Sequence, residues 1–218
     1  MAKNIAQLMV DTLVQAGVER VYGLPGDSLN GFTDSIRKQK KLQWIHVRHE
    51  ETAAFAAGAE AHLTGRLAVC AGSCGPGNMH LINGLYDCQR SRVPVLAIAA
   101  QIPSNEIGSG YFQETDPAQL FAKCSDYCEL VSHPEQMPRV LEIAMQTAIS
   151  KRGVAVVTIP GDVSPRKLGN RSRELSFASS KQPSVLPTKR SRYWQRFLTT
   201  RERSQSWVAR AAPVLMRN

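Results

Sequence analysis

Two hydrophobic periods alternate along the first 160 residues of the chain. Apolar residues recur every three or four positions in some stretches, as at Ile5, Met9 and Leu13, which is typical of a helix with one buried face. Between these stretches lie short runs that are apolar throughout, of which VPVLAIAA and GVAVVTIP are the strongest. Such runs are typical of parallel strands that are covered on both faces.

The two patterns alternate as strand and helix, and six strands are predicted. In chain order they are VERVYGL, LQWIHV, RLAVCAG, VPVLAIAA, CELVS and GVAVVTIP. This alternation predicts an α/β fold with a doubly wound, mostly parallel six-stranded sheet and helices on both faces. Asp27 and Ser28 are predicted to cap the helix after the first strand. Sheets of this type bind ligands at the carboxyl ends of their strands.

The periodic pattern ends near Pro165, and the charge changes there too. Residues 166–218 hold 13 of the 27 basic residues and 2 of the 18 acidic ones, so this segment carries +11 and the first 165 residues carry −2. The segment is rich in Ser and Arg and shows no sustained period. We therefore predict a folded domain over residues 1–165 and a disordered basic tail over 166–218.

Five cysteines are too few and too scattered for a disulfide framework: Cys70, Cys74, Cys88, Cys124 and Cys128. Four of them form two C-x₃-C pairs, 70/74 and 124/128, and we predict that the cysteines are buried thiols and do not form a zinc site. The amino terminus has no signal-peptide pattern, and no apolar run is long enough to span a membrane. These features predict a cytoplasmic protein.

Glu50 opens the unusual stretch RHEETAAFAAGAEA. An acid in the first turn of a helix ordinarily complements the helix dipole. Glu50, however, directly follows a strand, and the small residues behind it allow a flat ligand or another backbone to come close. Glu51 points in a different direction because adjacent helical residues do not share a face, and we predict that it is solvated.

Two loops at the same edge of the predicted sheet are further candidates. GSCGPGN, residues 72–78, matches neither the dinucleotide fingerprint nor the phosphate-binding P-loop. Taken alone, it indicates a tight turn with a proline in the first turn of the next helix. GSGYFQET, residues 108–115, lies in a long glycine-containing loop after the strongest strand, and such loops often carry binding residues.

Taken together, five segments resemble one family: GLPGDSLNGF, RHEETAAFAAGAEA, GSCGPGNMHLINGLYDC, VPVLAIAAQIPSNEIGSGYFQETDP and VVTIPGDV. They are similar to the amino-terminal, pyrimidine-binding domain of thiamine-diphosphate enzymes of the acetolactate synthase and pyruvate oxidase group. Within that group the resemblance is greatest to the quinone-dependent pyruvate oxidases. It covers roughly residues 3–165.

The resemblance implies a role for each motif residue. It makes Glu50 the catalytic acid that hydrogen-bonds a ring nitrogen of the aminopyrimidine, in a cofactor that serves as an electron sink for 2-keto acid decarboxylation. Phe112 and Gln113 would face the substrate, and this chain would supply no metal ligand. The residues implied to line the cofactor cleft are Gly26, Glu50, Ser73, Gly75, Pro76, Gly77 and Asn78.

For an intact family member, the resemblance implies oxidative decarboxylation of pyruvate to acetate and CO₂, with ubiquinone as the electron acceptor. Further domains would hold FAD, and magnesium with the cofactor diphosphate. The cofactor would lie between subunits, so association of this chain with itself or with full-length subunits is expected. From the unusual tail we expect a frameshifted or truncated gene product that is inactive alone.

A different class of function stays open for the tail. Trp194, Phe197 and Trp207 are interleaved with arginines, a composition that is compatible with a module for nucleic acid or anionic lipid. Basic runs alone are weak evidence, and we expect nucleic acid and membrane to be poorer partners than the family cofactor.

Overall fold

A computed structural model of the chain describes residues 3–169. Its helices are α1 (Ile5–Gln15), α2 (Asn30–Gln39), α3 (Glu50–Thr64), α4 (Pro76–Arg90), α5 (Pro117–Phe121) and α6 (Met137–Lys151). Its strands are β1 (Arg20–Gly23), β2 (Gln43–His46), β3 (Ala68–Gly72), β4 (Val95–Gln101), β5 (Tyr127–Leu130) and β6 (Val154–Pro160). Short 3₁₀ turns, Asp27–Leu29 and Pro134–Gln136, precede α2 and α6.

The six strands form one sheet in the order β2-β1-β3-β4-β6-β5, and every neighbouring pair is parallel. The predicted α/β class and the six-stranded sheet are therefore confirmed. β2 lies on one side of β1 and β3 lies on the other, so the chain changes direction at the β1–β3 pair. In open α/β sheets, ligands bind in the crevice at the carboxyl ends of strands that flank such a point.

Side chains of the central strands alternate between two cores. In β3, Val69 and Ala71 face the core beneath α1, α2 and α6, whereas Ala68 and Cys70 face the core beneath α3, α4 and α5. Small residues dominate the second core, where α3 contributes only alanines. This small-residue core lets α3 and α4 approach the sheet and each other closely. Both helices begin at the carboxyl edge of the sheet, because each follows a strand directly.

The chain segment after Pro165 remains attached to the domain for a few residues. Arg166 accepts a hydrogen bond from the Ile5 amide (3.0 Å), the Leu168 amide donates to Lys3 (3.1 Å), and the Leu168 side chain is buried. Arg166 and Leu168 thus contact the folded domain, and the predicted boundary at Pro165 stays a prediction. The rest of the predicted tail, with Trp194, Phe197 and Trp207, lies outside the described residues. None of the helices within residues 3–169 is long and apolar enough to span a bilayer.

The predicted helix cap at Asp27 and Ser28 is wrong. Within residues 3–169, α2 begins at Asn30 without a side-chain cap, and the Asp27 carboxylate accepts a hydrogen bond only from the adjacent Ser28 amide (2.8 Å). The Ser28 hydroxyl instead accepts a hydrogen bond from the Cys74 amide (3.1 Å), 46 residues away. A long-range contact therefore takes the place of the local one, and it joins the loop after β1 to the loop after β3.

Asp162, just after β6, holds the start of the long loop after β4. The Ser104 amide and hydroxyl donate to its two carboxylate oxygens (2.7 and 2.8 Å), and Arg166 pairs with it. Burial raises the pKa of Asp162, but the hydrogen bonds from Ser104 and the Arg166 charge outweigh it, and the net pKa lies below the ordinary value. Asp162 thus contributes stability above the unfolded pKa of about 4, which is lost as the pH falls through the folded pKa.

We predict that Asp162→Asn has a flatter stability profile in acid than the parent chain. The free energy of unfolding of the parent should fall more steeply below about pH 4, because only the parent binds a proton at this site on unfolding. Urea unfolding at a series of pH values measures the difference. Parallel profiles for the two proteins would show that the carboxylate is not linked to folding.

Candidate cofactor site

The loops that carry the predicted site residues meet at the carboxyl edge of the sheet. Gly26 follows β1, Glu50 follows β2, and the segment 73–78 follows β3. The loop of residues 102–116 follows β4 and carries Phe112 and Gln113. Because all strands are parallel, their carboxyl ends lie at one edge, and the sheet gathers these residues from four separate parts of the sequence.

Glu50 is the first residue of α3, and its carboxylate is held in the protein interior. His49 is the N-cap: its backbone is extended, and its Nδ1 accepts a hydrogen bond from the Glu51 amide (3.3 Å). Glu50 is only 4% exposed, and its Oε2 lies 3.0 Å from Nδ1 of His80 on α4. No residue within 3–169 hydrogen-bonds its other oxygen, Oε1. Oε1 is not one of the fully buried polar atoms without a partner, so a hydrogen-bond donor from outside the chain can reach it.

Two histidines join Glu50, and sequence reasoning missed both. The His49 and His80 rings stack with centroids 4.3 Å apart, and a ligand-type atom of each lies within 4.8 Å of the others and of Glu50. Imidazole nitrogens and a carboxylate are atoms of the kind that bind metal ions, and the prediction that this chain supplies no metal ligand stays a prediction. His80 and Glu50 are 30 residues apart in sequence. The available signal was that α3 and α4 each follow a strand and therefore begin at the same sheet edge.

Glycines allow the loops to pack directly on one another. A Cβ added at Gly77 would lie 2.7 Å from Ser73 Oγ and 3.1 Å from Glu50 Oε1, and one at Gly26 would lie 2.6 Å from the Ser73 Cβ. Gly75 has a positive φ of 65°, which a side chain disfavours, and Pro76 then occupies the first turn of α4. The predicted cofactor residues Gly26, Ser73, Gly75, Pro76 and Gly77 therefore lie in two adjoining loops beside Glu50, and their role in binding a cofactor stays a prediction.

Asn78 occupies a different environment from these neighbours. Its side chain is fully buried, and its amide donates to the Ala100 carbonyl at the end of β4 (2.7 Å). This hydrogen bond fixes the start of α4 to β4. Its predicted place in the lining of a cofactor cleft stays a prediction.

Gln113 packs on the glycine loop, whereas Phe112 points to the surface. The Cβ, carbonyl oxygen and Cα of Gln113 lie within 3.1 Å of the position that a Gly75 Cβ would take, and the Cys74 thiol donates to Gln113 Oε1 (3.5 Å). Phe112 is 79% exposed. The structure thus places Gln113 against the glycine loop beside Glu50, and it leaves the Phe112 ring free for contact with another molecule.

The cysteines are buried thiols, as predicted. All five are free: Cys70, Cys74, Cys88 and Cys124 are buried, and Cys128 is partly buried. Burial raises the pKa of Cys88 to about 12 and those of Cys124 and Cys128 to about 11. Thiols with such pKa values are almost entirely protonated at neutral pH, so these three cysteines are poor nucleophiles.

Comparison with known proteins gives the class of protein. Residues 3–120 match the family described as thiamine pyrophosphate enzyme, N-terminal TPP binding domain. The match covers more than half of the chain, and its span contains Gly26, Glu50, the loop of residues 73–78 and the Phe112–Gln113 pair. The chain therefore belongs to the thiamine pyrophosphate enzyme family, and it contains that family's N-terminal cofactor-binding domain.

Three curated relatives show the range of the family around this chain. An uncharacterized 42.6 kDa protein in the isoamylase 3′ region of Pseudomonas amyloderamosa is 64% identical over 184 residues, 84% of this chain and 46% of the relative. Pyruvate oxidase of Lactiplantibacillus plantarum is 38% identical over 180 residues, 82% and 30% of the two chains. Acetolactate synthase of Mycobacterium bovis is 38% identical over 159 residues, 72% and 26% of the two chains.

The chain spans less than half the length of these relatives. The similarity to the Pseudomonas protein covers 184 residues of this chain, so it continues past Pro165, where the periodic pattern ends.

The residues at the sheet edge fit an aminopyrimidine cofactor. Such a ring needs a hydrogen-bond acceptor for its protonated nitrogen and a flat, side-chain-free approach. Glu50 Oε1 provides the uncommitted acceptor, and the lack of a side chain at Gly77 keeps it uncovered on that side, because a Cβ there would lie 3.1 Å from it. A phosphate-binding loop motif is lacking in residues 72–78. The described residues are therefore suited to the pyrimidine portion of thiamine diphosphate.

Proposed function

We propose that this chain supplies the pyrimidine side of a thiamine-diphosphate site in an enzyme that oxidatively decarboxylates pyruvate. The observation that carries the proposal is Glu50, a buried carboxylate with one uncommitted oxygen at the switch point of the sheet. A carboxylate oxygen without a protein partner can accept a hydrogen bond from a ligand. The thiamine pyrophosphate family membership identifies the ligand class.

In this proposal each residue has a defined task. Glu50 Oε1 accepts the hydrogen bond from the pyrimidine ring and exchanges a proton with it. His80 fixes the other oxygen, Oε2, and so sets the direction of the carboxylate. A Cβ at Gly77 would lie 3.1 Å from Glu50 Oε1, so the glycine leaves this oxygen open to the ring. When bound, thiamine diphosphate supplies the electron sink that decarboxylation of a 2-keto acid requires.

Pyruvate is the proposed substrate. Gln113 lies against the glycine loop beside Glu50, where its amide can hydrogen-bond a carboxylate, and the exposed Phe112 ring can cover a small methyl ketone. The similarity to a pyruvate oxidase supports this choice. The similarity to an acetolactate synthase supports the same cofactor with a different reaction product, acetolactate. Acetolactate synthesis is therefore the second candidate activity.

The remaining components of the activity belong to the proposal as well. FAD, magnesium and the cofactor diphosphate would be held by domains outside the described residues, and ubiquinone would accept the electrons. The chain would contact those domains through association with itself or with another subunit. A cytoplasmic location stays a prediction from the cysteine content.

A chimeric enzyme tests the proposal. Residues 1–169 would replace the matching segment of the Lactiplantibacillus plantarum pyruvate oxidase, with a Glu50→Gln chimera as the control. The proposal expects pyruvate consumption coupled to reduction of an artificial electron acceptor, and its loss in the control. Formation of acetolactate in place of acceptor reduction would support the synthase activity instead. A folded chimera that consumes no pyruvate would contradict both candidates.

A further inference from the structure

Glu114 closes the loop that carries Phe112 and Gln113. One carboxylate oxygen accepts from the Gly108 amide, and the other accepts from the amides of Gly110 (2.8 Å) and Tyr111 (3.1 Å). A single side chain thus gathers three backbone donors of its own loop. The hydrogen bond from Gly108, followed by those from Gly110 and Tyr111, holds the pKa of Glu114 below its ordinary value. The carboxylate is therefore ionised at neutral pH, which is the form that accepts all three bonds.

The residue next to Glu114 has an unfavourable backbone conformation. Gln113 has a φ of 66°, in the left-handed region that side chains rarely adopt. A non-glycine residue stays in this region only where the surrounding structure determines it. Two contacts surround Gln113: the packing of its backbone on Gly75 and the hydrogen bond from the Cys74 thiol. Neither of these contacts fixes the loop on the far side of Gln113.

The two ends of the loop have anchors of their own. Ser104 is bound to Asp162 at the start, and the Gln101 side chain donates to the Thr115 carbonyl at the end (2.8 Å). These contacts leave the segment between Ile107 and Gln113 without a tie to the sheet. Two backbone turns close parts of this segment: the Ser109 amide donates to the Glu106 carbonyl (3.1 Å), and the Glu114 amide donates to the Tyr111 carbonyl (2.9 Å). The Glu114 carboxylate joins these two turns through the amides of Gly108, Gly110 and Tyr111.

We propose that Glu114 is a positioning residue, which holds Gln113 on Gly75 and presents Phe112 beside the glycine loop. The carboxylate acts through the loop backbone and touches no reacting atom. Its importance for activity rests on the proposed function, in which Gln113 and Phe112 contact the substrate. The positioning itself can be measured without cofactor or substrate, through the thiol that Gln113 covers.

Cys74 reports directly on the position of Gln113. Its side chain is buried and donates to Gln113 Oε1, so release of Gln113 uncovers the thiol. Cys70, Cys88 and Cys124 are buried in the core away from this loop, and they report on global unfolding instead. The same molecule therefore contains both the local probe and its internal reference.

The test is alkylation of the full chain by iodoacetamide, with the rate at each cysteine measured by mass spectrometry. Glu114→Gln retains the shape of the side chain but removes its charge. We expect Cys74 to react roughly threefold to tenfold faster in this variant, because exposed charge-assisted hydrogen bonds contribute only modestly to the stability of the closed loop. The three core cysteines should react at unchanged rates. Glu106→Gln is the matched control: it removes a carboxylate from the same loop whose contact is the Asn105 side chain. It should leave Cys74 unchanged.

Amide hydrogen exchange at Gly108 and Gly110 separates the alternatives. Faster exchange at these glycines together with faster Cys74 alkylation supports the proposal. Faster glycine exchange with unchanged Cys74 alkylation would overturn it, because the carboxylate would then order the loop without holding Gln113. Equal acceleration at all buried cysteines would also overturn it, since Glu114 would then act on global stability. No change at any probe would overturn it as well. The result is independent of whether the chimera turns over pyruvate.

Discussion

Glu50→Gln is expected to weaken binding of thiamine diphosphate to the chain by roughly 10-fold to 150-fold. The substitution preserves the shape of the side chain and removes the charge from an oxygen that has no partner within residues 3–169. A hydrogen bond to a charged group contributes about 1.5–3 kcal/mol, which corresponds to this range of dissociation constants. Calorimetry in the presence of magnesium measures the two affinities.

Glu51→Gln is the matched control for that experiment. Glu51 is the next residue of the same helix, and its carboxylate accepts a hydrogen bond from Asn83 at a more exposed position. Its replacement removes the same charge from the first turn of α3, so any effect of the helix dipole or of net charge is reproduced. Similar affinities of the Glu50→Gln and Glu51→Gln variants would contradict the assignment of Glu50.

Gly84→Ala is expected to destabilise the domain by about 1–3 kcal/mol. A Cβ at this position would lie 2.5 Å from the Ala54 Cβ and 2.8 Å from the backbone nitrogen of Phe55, so α3 and α4 would have to separate. Alanine is the better helix former by about 1 kcal/mol, and the expected loss therefore runs against intrinsic propensity. Thermal unfolding should register it as a lower Tm, by about 2–4 °C for each kcal/mol.

A second glycine on the same helix pair provides the comparison. A Cβ at Gly58 would lie 2.6 Å from the Cys88 sulfur, a side-chain atom that can move more readily than a backbone nitrogen. Gly58→Ala should therefore cost less stability than Gly84→Ala. The same crossing of α3 and α4 brings Glu50 to His80, so Gly84→Ala should also weaken cofactor binding. A Gly84→Ala protein as stable as the parent would show that the helices are not closely packed.

The fold could be predicted because its signals are local and strong. The runs VPVLAIAA and GVAVVTIP became β4 and β6, which are buried along their whole length. The strand order, by contrast, depends on how the helices pack across the sheet. The hydrophobic pattern along the sequence carries no information about that packing. The cap at Asp27 and Ser28 was predicted wrongly because Ser28 prefers a partner 46 residues away.

The site could be predicted only where a motif marks it. Glu50 stands out because it directly follows a strand, at the ligand-binding edge of the sheet, and opens a helix of small residues. His80 carries no such signal, since a histidine on the exposed side of a helix is ordinary until α3 is placed beside it. Glu114 is similar: its three amide donors are within six residues, but the left-handed turns that bring them together at Gly108 and Gly110 are not evident from the letters alone.

The central claim is that thiamine diphosphate binds this chain with its pyrimidine ring at the loops beside Glu50. Amide chemical shifts of the ¹⁵N-labelled full chain, recorded during titration with thiamine diphosphate and magnesium, test it directly. The account predicts shifts concentrated at Gly26, Glu50, Gly75 and Gly77, and their absence in Glu50→Gln. Shifts confined to another surface, or identical shifts in Glu50→Gln, would contradict it.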